Sequence, residues 1–538
     1  MEGVIVLSGP IGVGKSSFAN ALVERFGAIK VGTRDYILQQ TGCDNERRAL
    51  QNAGDDLDRE TGGAWVADCV QEAEAADAAG PDALLLLDSA RIEPQVRALR
   101  ARFPGLVFHI HLDAEISVLE QRYLNRDADL REFSTYAEAS AHGTEAQVGT
   151  LAELADLVLG AGNADPKTLA VSAMAIRDTH PVGAMVDVIV GGQYGSEGKG
   201  NICAHIASHY DVLMRIGGPN AGHKVAEPKY KYEQLPSGTG SNPTAMILIG
   251  AGSTLWLPQL MREMMDHQLP PKRLAIDPQA MVIDDSDRLA ETVGLPSIGT
   301  TGQGVGAASA RKILNRGSTP LYGPPVTLAR DVKQLQDYVR DVRAELDRLF
   351  RRGKRVLLEG TQGTALSIHH GLYPHVTSRE TSTAGCLADA GISYRRVRDV
   401  IMVVRTYPIR VGNPTQGGGT SGWMGREIDC EEISKRSGIP LDEVRKTEVG
   451  SVSGRPRRIA EFDWVQLRRA AEINGATKIA LTFADYLGIA NRRATSFADL
   501  NQDTQAFIRK VDRVAGVPVT LVSKAFARDG VLERGNWN

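Results

Sequence analysis

The sequence predicts an α/β protein built from two parallel-sheet domains. Three observations lead there. Val4-Ile5-Val6-Leu7 and Val186-Asp187-Val188-Ile189-Val190 are short, largely β-branched strands, and each runs straight into a glycine-rich turn. A chain of 538 residues is too long for one ordinary core. Its 42% hydrophobic and 24% charged residues, with 56 glycines, match a soluble globular protein of this class.

The elements follow in order. Between the two opening strands, 83–88 (ALLLLD) and 106–112 (LVFHIHL) read as buried strands, and 59–79 and 115–126 as helices. Residues 154–159 (LADLVL) read as the last strand of the smaller domain. The stretch 178–184 (DTHPVGA) has turn formers and no periodicity, so the domains are placed at 1–178 and 185–538. Beyond it, 331–352 reads as one long charged amphipathic helix, followed by a strand at 355–359 and further buried strands at 400–404 and 478–483.

A net charge of −3 gives no basic field, which argues against nucleic acid or a membrane surface as partner. Five dispersed cysteines lack metal or redox spacing and read as buried free thiols. The first residues have neither the basic start nor the cleavage site of a signal peptide, and no apolar run approaches the roughly 18 residues of a bilayer span. A cytoplasmic location is expected.

Gly9-Pro-Ile-Gly12-Val-Gly14-Lys15-Ser16 fits GxxxxGK[ST], between a strand and a helix. Backbone amides would cradle phosphates, Lys15 would reach the β/γ oxygens and Ser16 could hold Mg²⁺. This predicts a P-loop NTPase-type parallel sheet at the N-terminus, with a nucleoside triphosphate as ligand. Arg47-Arg48-Ala-Leu-Gln51-Asn-Ala-Gly54, Arg59, Trp65, Asp88-Ser-Ala-Arg91 and the Arg122/Arg126 pair resemble the acceptor region of phage-type deoxynucleoside monophosphate kinases. Phosphoryl transfer needs positive charge around the migrating group and an acid after a strand. Asp35 and Asp88 are the candidate acids, and Arg47, Arg91, Arg122 and Arg126 the candidate cations.

The second glycine-rich segment reads GGQYGSEGKG from Gly191, and GGPNAGH follows from Gly217. Further on stand Ile298-Gly-Thr300-Thr301-Gly302, Glu359-Gly-Thr-Gln362-Gly, Val376-Thr377 and Gly450-Ser-Val-Ser453-Gly454-Arg455-Pro-Arg457. These ordered motifs resemble adenylosuccinate synthetases from about Val186 to the end, so the larger domain is expected to be an adenylosuccinate-synthetase-like P-loop α/β domain. The resemblance implies a ligase of purine biosynthesis that joins L-aspartate to a 6-oxopurine nucleotide, uses Mg²⁺ and forms a homodimer. It puts the triphosphate on Gly195, Glu197, Gly198, Lys199, Gly200 and Asp485. His223 becomes the acid at purine O6. Asn220, Thr301, Gln362 and Thr377 would hold the nucleotide substrate, and Ser453, Gly454, Arg455 and Arg457 the aspartate. Ser196 and the Gly222 carbonyl would meet the metal. The chemistry makes sense without the name. A purine O6 leaves poorly, so it is phosphorylated before the aspartate amine displaces phosphate at C6. His369 and His370 stand in a turn without a partner motif and read as structural.

Three departures matter. Ser196 replaces the family's catalytic aspartate, and a serine is a poor base near neutrality. A shorter neutral side chain makes room for the 2-amino group of guanine, as in the phage 2-aminoadenylosuccinate synthetases, which act on dGMP. The family's guanine-reading TKLD stands here as Thr482-Phe483-Ala484-Asp485, and its STGP as Ser523-Lys524-Ala525-Phe526, which fits ATP or dATP rather than GTP as donor. Phe483 is placed either to stack on a base or in the core. Asn315-Arg316 stands where the family has an arginine pair that reaches the neighbouring subunit's nucleotide, and Arg316 is the candidate to compensate. The expected reaction is dGMP with L-aspartate and ATP. The alternatives are ordinary synthesis from IMP and GTP, or a nucleotide-binding regulatory module fused to a working kinase.

Overall fold

The structure, a computed structural model, describes residues 1–75, 83–88, 90–125, 133–141, 145–162, 164–179, 185–414, 419–450, 455–527 and 529–534. It divides into two units, Met1–Gly183 with Asp347–Gly353, and Ala184–Leu346 with Lys354–Asn538.

In the smaller unit, strands β1 (Gly3–Ser8), β2 (Ile29–Lys30), β3 (Leu84–Leu87), β4 (Val107–Asp113) and β5 (Leu157–Gly160) form one sheet in the order β2-β3-β1-β4-β5. Every pairing in it is parallel. Val4, Ile5, Val6 and Leu7 of β1 are fully buried, as expected of a strand covered on both faces.

The larger unit is built on nine strands: β6 (Val186–Gly191), β7 (Val212–Arg215), β8 (Met246–Ile249), β9 (Leu274–Ile276), β10 (Val356–Glu359), β11 (Val397–Arg405), β12 (Lys478–Thr482), β13 (Val519–Ser523) and β14 (Val531–Glu533). Their order is β9-β8-β7-β10-β6-β11-β12-β13-β14. Only the β13–β14 pair at the edge is antiparallel. β6 has β10 on one side and β11 on the other, so the chain leaves it in one direction and later crosses to the opposite side. The carboxyl ends of β6, β7, β10, β11 and β12 therefore open on one crevice, the usual ligand position in such sheets. Each of the fully buried Val188 and Ile189 side chains contributes about 1.5–3 kcal/mol to this core.

Four element readings change. The helix expected over 59–79 is two: Arg47–Thr61 ends at Gly62, whose φ of 60° is left-handed, and Trp65–Ala75 starts afresh. The helix expected over 115–126 is confined to Ile116–Leu124. Residues 149–154 form a 3₁₀ turn, so the last strand of the smaller unit starts at Leu157. The long helix expected from 331 exists only as Val342–Arg351. Ahead of it, the Ile276 amide donates to the Tyr338 carbonyl at 2.9 Å, and the Arg340 amide to the Ile276 carbonyl at 3.0 Å. Sheet-edge pairing beside β9 thus overrides helical periodicity there. The cysteines are all free, but only Cys69, Cys203 and Cys386 are buried, with Cys43 and Cys430 half-buried. Among the described residues no helix is long and apolar enough to cross a membrane.

Candidate functional site

Each unit presents a lysine at the start of a helix after a glycine turn. In the larger one, Gly198 takes φ 89° and the helix Lys199–Ile206 begins directly after it. An L side chain is disfavoured there, so glycine is required. Lys199 is fully buried, and its ammonium donates to the Glu197 carboxylate at 2.7 Å, the Gln362 carbonyl at 2.6 Å and the Gly195 carbonyl at 3.2 Å. The other Glu197 oxygen accepts the amides of Gln193 at 3.0 Å and Gly195 at 2.7 Å. The loop thus carries its own anion. Gly200 sits against His223, because a Cβ there would lie 2.8 Å from the histidine Cβ.

Arg215 ends β7 and Glu359 ends β10, and the two face each other across the sheet. His223 Nδ1 donates to Glu359 Oε1, which also accepts the Ser237 hydroxyl at 2.5 Å. Glu359 Oε2 accepts the Ser237 amide at 2.7 Å, and Arg215 stands 3.7 Å from Oε1. Burial alone would raise the Glu359 carboxyl. His223, Arg215 and Ser237 outweigh it and hold the group down near 2. Burial, reinforced by Arg215 and opposed by Glu359, lowers His223 from 6.5 to about 4. The imidazole is therefore neutral near pH 7 in the free protein, with Nε2 bare and aimed away from Glu359.

This has a consequence for stability. A histidine held at about 4 when folded and 6.5 when unfolded binds fewer protons folded, so stability rises with pH across that window and falls on acidification. Burial also lowers His109, in the smaller unit, to about 4. Each contributes on the order of 3 kcal/mol, present above about pH 6.5 and lost towards pH 4. Calorimetry should show both units melting at lower temperature at pH 5 than at pH 7. An unchanged Tm across that interval would contradict the burial of neutral imidazoles.

The crevice holds a cavity of about 420 Å³. Ser196 stands on its wall, half-buried, with Gly195 beside it. Asn220, Gly222 and His223 line it from the segment after β7, and Gln362 from the turn after β10. Thr301, Thr377 and Arg457 complete the part read from sequence. Three buried polar atoms of these residues have no hydrogen-bond partner: His223 Nε2, Gln362 Nε2 and Asn220 Oδ1. Unpaired buried polar atoms are costly, and three facing one cavity fit a polar ligand. Gln362 also holds a left-handed backbone, φ 58°, rare for a residue with a side chain.

Other expected residues lie elsewhere. Arg316 is exposed and does not line the cavity, while Asn315 bonds the amides and carbonyls of its own loop at 2.7–3.1 Å. Asp485 is buried and paired with Arg492 at 2.9 Å. Phe483 packs on the Arg405 guanidinium, 3.7 Å from the ring centroid, and on Tyr486. The Arg455 carbonyl accepts the Gly450 amide at 2.8 Å, and Ser453 and Gly454 fall outside the described residues. The sequence reading passed over Arg215, Glu359, Arg405 and Glu448. One signal was present for the first three: a charge closing an apolar run of at least three residues.

In the smaller unit, Gly9, Gly12 and Gly14 take φ of 139°, 88° and 100°, and the helix Lys15–Phe26 follows. Lys15 donates to the carbonyls of Gly9 and Pro10, and Ser16 is exposed. Arg122 grips the loop itself, donating to the Val13 carbonyl at 3.1 Å and the Ala161 carbonyl at 3.0 Å. Asp88 pairs with Lys30 at 3.6 Å, at the carboxyl ends of β3 and β2. Asp35 is exposed, and the Arg91 amide donates to Gln95 at 2.9 Å. Arg47 begins the helix Arg47–Thr61, its side chain outside the described residues, as is all of Arg126.

Residues 188–319 and 326–494 match the adenylosuccinate synthetase family model. The chain is 35% identical over 346 residues to the adenylosuccinate synthetase of Methanocaldococcus jannaschii, covering 62% of this chain and 93% of the relative. Among solved structures it is similar to the cyanophage S-2L succinoaminodeoxyadenylate synthetase bound to dGMP and dATP as an energy donor, at 30% identity and TM-score 0.54, covering 66% of this chain and 96% of that one. It shares the fold of the fully ligated Plasmodium falciparum adenylosuccinate synthetase, at 21% identity and TM-score 0.57, covering 66% of this chain and 100% of that one. With a phosphate loop, a buried histidine–glutamate pair and an asparagine–glutamine-lined cavity at the expected strand ends, the chain belongs to the adenylosuccinate synthetase family.

Proposed function

We propose that the larger unit condenses L-aspartate with dGMP at C6, using ATP or dATP, to give 2-amino-2′-deoxyadenylosuccinate, nucleoside diphosphate and phosphate. The observation that carries this is Ser196 on the cavity wall within the phosphate loop. A carboxylate there would crowd the 2-amino group next to N1, whereas a hydroxyl leaves room and can accept from it. The likeness to the cyanophage enzyme bound to dGMP and dATP supports the reading. Ordinary synthesis from IMP and GTP is the second reading, favoured by the identity to the Methanocaldococcus enzyme.

In this reading His223 Nε2 meets O6 and Gln362 Nε2 donates to the purine. Charge brought by two phosphate-bearing ligands raises the histidine towards protonation, which lets it neutralise the departing O6 phosphate. Arg455 and Arg457 hold the aspartate carboxylates, with Ser453 and Gly454 on the same loop, and Thr301 and Thr377 hold the 5′-phosphate. Glu291 is the one carboxylate on the cavity wall among the described residues, and it accepts the amides of Gly304 and Gly306 at 2.8 and 2.6 Å. The N1 proton therefore leaves to a phosphate oxygen or to solvent beside Ser196. The Ser196 hydroxyl and Gly222 carbonyl are hard, neutral oxygen donors, suited to Mg²⁺ that keeps phosphate and water ligands. There the ion would polarise the transferring phosphate. Leu289 and Val293, one turn apart on one helix, and Ile313 and Leu321, which flank Asn315-Arg316 in sequence, are exposed apolar side chains, which fits a homodimer. The smaller unit is read as a nucleoside monophosphate kinase for a purine deoxynucleotide, with Lys15 and Ser16 on the triphosphate.

The test crosses IMP, GMP and dGMP with ATP, dATP and GTP, in aspartate and Mg²⁺, with products followed by absorbance and mass. Turnover of dGMP with ATP or dATP is expected. Turnover of IMP with GTP, and none of dGMP, sinks the reading. No succinyl product from any mixture favours the regulatory module. The same mixtures without aspartate test the kinase through ADP formation. Ser196→Asp should move the kcat/KM ratio towards IMP by about 10- to 200-fold, the range set by a single misfitting group. An unaltered ratio would rule out serine as the selector.

A further inference from the structure

Arg405 closes β11 and is fully buried, yet no motif read from the sequence contains it. Its backbone is tied to the phosphate loop. The Gln193 side chain donates to the Arg405 carbonyl at 3.0 Å and accepts the Arg405 amide at 3.1 Å. Its guanidinium carbon lies over the Phe483 ring, 3.7 Å from the centroid, and the group donates to Glu448 Oε1 at 2.6 Å. Glu448 is as buried as Arg405, and the same oxygen accepts the Tyr486 hydroxyl at 2.7 Å. The other oxygen faces Arg457, at 4.0 Å. One carboxylate thus stands between two arginines, one under Phe483 and one in the cavity wall.

Phe483 adds an independent observation. Its φ of 58° is left-handed, an outlier for a bulky side chain. The Thr406 hydroxyl holds it by donating to the Phe483 carbonyl at 2.8 Å, and the Arg405 cation holds its ring. The ring lies beside the start of the phosphate-loop helix, since a Cβ on Gly198 would come within 3.8 Å of Phe483 Cε2. A base stacked on Phe483 presses on Arg405, and Arg405 reaches Arg457 through Glu448.

We propose that Arg405 and Glu448 are positioning residues that couple the donor's base at Phe483 to aspartate at Arg457, so that each ligand tightens the other. This takes the half-buried Phe483 ring as the platform for the donor's base, the first of the two placements its sequence leaves open, and rests on the proposed reading of Arg457 as an aspartate ligand. Ordering Phe483 fixes Arg405, which fixes Glu448, which holds Arg457 where a dicarboxylate finds it. By reciprocity, aspartate tightens the donor by the same factor.

The measurement is the aspartate KM at saturating and at one-tenth-saturating ATP. In the wild type, saturating ATP should lower it about 5-fold or more, the usual lower range of coupled sites. Arg405→Met with Glu448→Met replaces the buried pair by apolar side chains of similar volume, which folded proteins commonly tolerate. That variant should raise both KM values, keep kcat within a few-fold and lose the dependence. Phe483→Ala should lose it too, and Glu448→Asp should keep part of it. A wild type without the dependence overturns the proposal, as does Phe483→Ala or the double variant retaining it. Phe483→Ala and Glu448→Asp decide the matter if the double variant does not fold. Calorimetric titration of ADP with and without aspartate reads the same coupling without turnover, so it stands or falls separately from the assigned reaction.

Discussion

Replacing His223 with glutamine is expected to lower kcat for succinyl product by about 10²- to 10⁴-fold, the usual weight of a positioned acid or base. The KM values for purine nucleotide and aspartate should change less than about 3-fold. Nδ1 of His223 is committed to Glu359, and Nε2 faces the cavity without a partner. Glutamine keeps much of the volume and can offer an amide to the cavity but cannot deliver a proton to a leaving O6 phosphate. Steady-state rates with each substrate at saturation decide it. A kcat within 3-fold of wild type would mean that His223 only fills space.

Glu359→Gln should damage both stability and rate. Arg215 and His223 are 2% and 6% exposed, and Glu359 is the carboxylate that both face. Removing one partner of a buried charge pair costs roughly 3–5 kcal/mol, because the other charge is left unpaired. The rate should fall about 10²-fold or more, because Glu359 sets which imidazole nitrogen carries the proton. A double variant separates the two effects. If Glu359 acts through the histidine, His223→Gln with Glu359→Gln should have nearly the kcat of His223→Gln alone. Multiplying losses would show that Glu359 contributes by a route other than His223.

Much of this site was legible in sequence, and what was not shares one cause. Motifs such as GGQYGSEGKG and NAGH are local, because a phosphate loop or a turn into a strand is made by adjacent residues. They placed Ser196, His223 and Gln362 on one cavity wall. Glu359 was quoted inside a motif for the sake of Gln362, and its pairing with Arg215 depends on β10 lying beside β7, a long-range neighbour. Arg405 and Glu448 are likewise joined only by the fold. Asp485 and Arg316 are two residues that a single chain does not bring to the cavity, the second being expected to reach a neighbouring subunit. Both stand in segments that depart from the family pattern; Arg492 pairs with the first, and the second lies exposed on a loop that Asn315 closes on itself. The helix expected from 331 failed because helical periodicity carries no information about the sheet edge beside it.

The Glu197–Lys199 pair bears on how the phosphate loop responds to its ligand. A bare ammonium buried to this degree would destabilise the loop, and Glu197 removes that penalty by standing where an anion would. If the loop holds the triphosphate as proposed, binding is a replacement: an arriving phosphate would take over donors already in use, and only the difference between two anion complexes would be left to hold it. A singly or doubly charged anion such as free phosphate gains little from the exchange. A polyphosphate that brings several charges and its own divalent ion gains much more. On the proposed reading, the loop would reject small anions because its lysine is already answered, and the same pair would keep it folded when empty.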